Sequence, residues 1–180
     1  RSTLFPYTTL FRSLAGCASA GGSQSRDLDL KELCTEEQVF QYADFEWGTD
    51  SEQLFKQSSL KFDKKDLGQG DESSTKTYES KEKFSLENAE SNMDLEFSDG
   101  QLSQVSFTFD IEQDANTWIQ KEVDELNSLY GGGIATGLGN QIYQWQGEQD
   151  TVLQLTAFTE GDESATVILS VASMEYSIGS

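Results

Sequence analysis

The chain contains no histidine, and its single proline is Pro6. Without histidine there is no ordinary general base at neutral pH, no commonest zinc ligand and no serine–histidine or cysteine–histidine nucleophile. Nowhere is there an apolar run of eighteen residues, so nothing in these 180 residues reads as a membrane-spanning helix. Basic residues are scarce: twelve Lys and Arg stand against thirty-two Asp and Glu, a net charge of −20. A field of that sign opposes nucleic acid and anionic lipid headgroups, so no nucleic-acid partner is expected. The same charge keeps an exposed domain soluble. Hydrophobic residues at 36% and aromatics at 11% are nonetheless globular values, enough for one domain with a core of its own.

Two cysteines are present, Cys17 and Cys34. Alone they admit a disulfide, a modified thiol with a spare, or two free thiols. What precedes Cys17 separates these. Residues 3–13, Thr-Leu-Phe-Pro-Tyr-Thr-Thr-Leu-Phe-Arg-Ser, resemble the in-frame translation of a short-read sequencing adapter, every codon matching. Residues 1–13 are therefore set aside, as a fusion scar would be. Arg1, Arg12 and Pro6 go with them, leaving a body that is more acidic still.

Leu14-Ala15-Gly16-Cys17 follows directly and resembles the lipobox of bacterial lipoproteins at all four positions. Small residues before the cleavage point suit a narrow peptidase cleft, and the thiol is the nucleophile that takes up diacylglycerol. The resemblance implies a mature N-terminus at Cys17, more than one acyl chain and stable anchoring, since one chain holds only marginally. It also implies a basic and then an apolar segment upstream, where the adapter-like residues stand. Ala18 to Ser25 is small and polar, as suits a tether. The expected organisation is a lipobox remnant at 14–17, a flexible tether and lead-in at 18–36, and one acidic domain at 37–178. The expected location is extracytoplasmic, with the membrane as a partner through lipid on Cys17. A Cys17–Cys34 disulfide is the structural alternative; otherwise Cys34, among helix-compatible residues, reads as a buried free thiol.

Period and punctuation give the body an α+β reading. Gly48 followed by Thr49, Asp50 or Ser51 caps a helix through Gln57, with Leu54 and Phe55 inward. Thr77–Phe84 is a charged, strand-like run expected at a sheet edge. Met93, Leu95 and Phe97 alternate with acids, Ser98-Asp99-Gly100 turns, and Val105, Phe107 and Phe109 alternate again, a hairpin with one core face. A second helix is expected from Glu112 to Tyr130, with Ala115, Trp118, Ile119, Val123, Leu126, Leu129 and Tyr130 on one stripe and Gly131 at its end. Strands at Gln141–Gln146, Thr151–Phe158 and Ala165–Tyr176 close the chain. Strand runs after each helix point to an antiparallel sheet with helices on one face, in two helix-plus-meander units. This order is similar to that of small extracytoplasmic lipoprotein domains, including outer-membrane assembly lipoproteins and tandem β-lactamase inhibitor proteins. The resemblance implies binding through the sheet face or its loops, and carries over no individual residue.

No site of catalysis, cofactor or metal emerges. Gly131–Asn140 is glycine-rich, but it follows a helix and precedes a strand, the reverse of a phosphate-cradling loop, and reads as a flexible connection available to a partner. Asp63–Glu72 lacks the spacing of a calcium loop and reads as solvated. Trp47, Trp118 and Trp145 form a carbohydrate platform only where exposed; the default is core. The leading expectation is a non-catalytic binding or accessory domain with a protein partner. The competitors are a carboxylate-based cell-wall or glycan-active enzyme, which needs an open cleft with paired acids, and an envelope-assembly lipoprotein.

Overall fold

The computed structural model describes residues 25–66, 74–136, 141–161 and 163–177. The lipobox, Cys17 and most of the tether lie outside the described residues. The architecture is mixed α+β around one nine-stranded sheet. In chain order the elements are β1 (Arg26–Asp27), a 3-10 turn (Leu30–Leu33), α1 (Ser51–Gln57), β2 (Phe62–Lys65), β3 (Thr75–Leu86), β4 (Ala89–Ser98), β5 (Gln101–Ile111), α2 (Ala115–Tyr130), β6 (Ile134–Thr136), β7 (Gln141–Gln146), β8 (Thr151–Glu160), β9 (Ser164–Ser173) and the short α3 (Met174–Ser177).

Strand order across the sheet is β1-β3-β4-β5-β9-β8-β7-β6, with β2 also on β3. Every pairing is antiparallel except β1 with β3. Two units of the same layout are visible: α1 followed by β2 to β5, and α2 followed by β6 to β9. They join last strand to last strand, β5 against β9, along eight residue pairs from Gln104↔Ala172 to Ile111↔Ala165. Leu54 of α1 and Ala115, Ile119, Val123 and Leu126 of α2 share one apolar cluster with Met93, Leu95, Phe107, Leu153 and Leu169 of the strands. One face of the sheet is thus core and carries the helices.

The local causes are those of the residue types. Asp50 caps α1 by accepting from the Gln53 amide at 2.9 Å. The β4–β5 turn is Asp99-Gly100, φ 50° and 84°, the left-handed pair that matches strand twist. Helix α2 begins at Ala115 instead of Glu112. Asp114 is left-handed with no side-chain cap, and the Ala115 amide donates instead to the Glu163 carbonyl at 3.1 Å. Strand β9 stops at Ser173, not Tyr176: Met174 donates its amide to the Asp150 carbonyl and the chain turns helical.

Two further expectations are corrected. Strand β3 is not an edge, because β2 pairs with its first half and β1 with its second. The lead-in is not loose where it is described. Leu28, Leu30 and Leu33 are buried in the core cluster, and Phe40 and Tyr42 continue it. Tyr42 packs edge-on against Phe45, Phe84 and Phe107.

Candidate functional site

The face of the sheet away from the helices divides into two chemically distinct halves. Residues paired directly across strands share a face, so the registers map it. One row runs Thr108, Ile168, Thr156, Ile142, Thr136 through β5, β9, β8, β7 and β6. The next runs Ser106, Ser170, Gln154, Gln144, Ile134. A third holds Gln104, Ala172, Val152 and Gln146. None of these side chains is charged. Most are half-buried by their neighbours, and the Gln154 amide donates to the Thr156 hydroxyl at 2.8 Å. Phe158 stands at one end of the patch, 43% exposed.

Charge begins abruptly one strand further on. Asp94 pairs with Ser106 and Glu96 with Gln104 across β4–β5; the Asp94 row continues through Glu79 and Asp63, and the Glu96 row through Thr77 and Lys65. Here the charges neutralise one another. Lys65 lies 2.8 Å from Asp94 and 3.1 Å from Glu79, Lys81 lies 2.9 Å from Asp63, and Lys83 lies 3.2 Å from Glu90. The hydrogen bond to Asp94 holds the Lys65 ammonium above its ordinary range. Burial alone pushes the Glu96 carboxyl up.

At the strand ends the uncharged half is rimmed with acids: Asp110, Glu112 and Glu163 at one end, Glu148, Asp150 and Glu175 at the other, all exposed. No Lys or Arg follows Lys121 in the sequence. The arrangement is an uncharged polar-apolar platform with acids at both strand ends.

Glycine-rich residues 131–133, expected to be flexible, are instead tied down. Asn127 Oδ1 accepts from the Gly133 amide at 2.8 Å and from Trp145 Nε1 at 3.2 Å, and Trp145 Nε1 also donates to the Gly131 carbonyl at 2.9 Å. A Cβ on Gly133 would lie 2.6 Å from the Trp145 ring, so only glycine admits this contact. Residues 134–136 then form β6, and residues 137–140 lie outside the described residues.

The tryptophans make no platform. Trp145 is buried, Trp47 is half-buried with Nε1 donating to the Phe40 carbonyl at 2.9 Å, and Trp118 packs on Phe109 with its Nε1 buried and unpartnered. Glu122, one helical turn beyond Trp118, carries no mark in the sequence pattern. It is 1% exposed, and neither carboxylate oxygen has a hydrogen-bond partner. Burial, then the negative charges of Glu125 and Glu87, raise it to about 7, with Lys121 opposing. That is the range of a general acid. Its oxygens are sealed from solvent, however, so no substrate atom reaches them.

Of the acidic run Asp63–Glu72, expected as a solvated loop, Asp63 and Lys65 sit on β2 in ion pairs, and residues 67–73 lie outside the described residues. Among the described residues, no three His, Cys, Asp or Glu side chains converge as metal ligands would. Cys34 is a half-buried free thiol, raised by burial, beside a 400 Å³ hollow shared with Phe40 and Tyr130. A second hollow of 540 Å³ lies between α1 and Tyr42, with Arg26 at its margin engaged by Glu32 at 3.3 Å. No family model, curated protein or solved structure matches the chain.

Proposed function

We propose that this chain is a non-catalytic, extracytoplasmic binding or accessory domain, held at a membrane by lipid on Cys17, that engages a protein partner through the uncharged half of its open sheet face. The observation that carries the binding reading is the exclusion of charge. A net −20 chain keeps every Asp and Glu out of the rows centred on Ile168 and Ser170, where a solvated sheet face would hold several. A platform of Ile, Thr, Val, Ala, Ser and Gln costs less to desolvate than a charged face, and depletion of charge from the centre is the compositional mark of an interface core. The anchor reading is supported by Leu14-Ala15-Gly16-Cys17 and by the small polar run behind it.

Two measurements test this. Metabolic labelling with a fatty acid marks the wild-type chain and not Cys17→Ser; label that persists in the variant contradicts the anchor. Affinity capture from the native membrane retains a stoichiometric protein with wild type and with Glu96→Gln, and loses it with Thr156→Glu/Ile168→Glu at unchanged circular dichroism. Equal retention by all three contradicts the assignment of the face.

A further inference from the structure

The sheet ends differently at its two margins. At one, β1 and β2 border β3 with Arg26, Asp27, Asp63, Lys64 and Lys65. Charges of this kind are how sheet edges are protected from strand addition. At the other margin β6 is Ile134-Ala135-Thr136, all three exposed and Ile134 at 68%. From Leu126 to Gly147 the sequence has neither a charge nor a proline. Among the described residues β6 pairs with β7 alone.

We propose that the β6 margin is a strand-addition site that takes an extended segment of a partner polypeptide flanked by Lys or Arg. This rests on the protein-binding reading above and names the partner's chemistry. Three observations carry it. First, the template is already ordered, since Gly133, Asn127 and Trp145 fix the entry to β6, so an incoming strand meets the cost of ordering only itself. Second, Glu148 and Asp150 stand exposed on the β7–β8 turn and no Lys or Arg follows Lys121 in the sequence, leaving Lys31, which shares a hollow with Gln146 and Gly147, outnumbered there; this favours basic flanks in the occupant. The same charge disfavours a second copy of this chain, which would bring an identical acidic half against the first. Third, the chain enters the sheet at β1, the opposite end of an eight-strand path, roughly 34 Å away at about 4.8 Å per strand step. A chain held from its N-terminal side is therefore attached at the margin farthest from β6, which leaves β6 clear of the attachment.

The test is amide hydrogen exchange on the full chain with three synthetic probes: an alternating threonine–valine peptide flanked by lysine pairs, the same peptide N-methylated at every threonine and valine so that neither edge can donate, and a glutamate-flanked version. The lysine-flanked probe, at about ten times its Kd, slows exchange within Ile134–Thr136 about tenfold. The N-methylated probe, which keeps every side chain but lacks the backbone donors, and the glutamate-flanked probe leave it unchanged. Four results overturn the inference: no protection at β6, equal protection by the N-methylated probe, equal protection by the glutamate-flanked probe, or protection that tracks protein concentration without peptide. Partner retention that Thr156→Glu/Ile168→Glu abolishes, together with no β6 protection, overturns this inference alone and leaves the face reading intact.

Discussion

Among the described residues, Glu122 is the one Asp, Glu, Lys or Arg side chain that is fully buried. An ionised carboxylate without a partner is costly in an apolar site, and the group responds by holding its proton. The sign of the consequence follows. The unfolded carboxyl titrates near 4.5 and the folded one near 7, so between those values the unfolded state releases its proton first. Stability is greatest below pH 4.5 from this group, falls as pH rises toward 7 and then levels. At roughly 1.4 kcal/mol per pKa unit the loss is on the order of 3 kcal/mol. Glu122→Gln is expected to melt close to wild type at pH 5 and distinctly higher at pH 8. Parallel pH dependence of the two melting curves would contradict this. Gly133→Ala probes a different constraint, the 2.6 Å approach to Trp145. It is expected to cost about 1–3 kcal/mol through overpacking and to shift tryptophan emission to the red. Neither residue is marked by sequence pattern. A glutamate on a helix reads as solvated, and a glycine in a glycine-rich run reads as mobile, because burial and contact are tertiary facts.

Among the elements, those with a strong local cause were legible. Helix α1, begun by the Asp50 cap, ends at Gln57 as expected. Strand β7 falls on the expected Gln141–Gln146, and the β4–β5 hairpin follows its alternation and its Asp-Gly turn. Strands β1, β2 and β6 were not legible. Each is four residues or fewer, too short for a period, and exists because a longer neighbour supplies its hydrogen bonds. The bulge in β3 between Glu79 and Lys83 was also hidden. Ser80 pins it: its buried hydroxyl accepts from the Met93 amide at 2.8 Å and donates to the Glu82 carbonyl at 2.7 Å. Ser80→Ala leaves the Met93 amide without that acceptor and is expected to cost about 1–3 kcal/mol in denaturant unfolding. A change within about 0.3 kcal/mol would show that the bulge holds without it.

For the molecule as a whole, charge is arranged more deliberately than its total suggests. The N-terminal half of the open face pairs acids with Lys65, Lys81 and Lys83, while the C-terminal half has neither bases nor acids on its platform and exposed acids at its strand ends. The sequence displayed the excess of acid but not this segregation, which emerges only when the registers bring Thr108, Ile168, Thr156 and Ile142 into one row. An acidic border around a neutral centre acts mainly on association rate. Partner binding is therefore expected to slow with added salt while dissociation changes little, as measured by surface kinetics once the partner is purified. The most direct measurement is site-specific photo-crosslinking in the native membrane, with the reactive residue at Ser170 or, in parallel, at Asp94. The account predicts a discrete protein adduct from Ser170 and none from Asp94; adducts of equal yield from both, or from Asp94 alone, would contradict it.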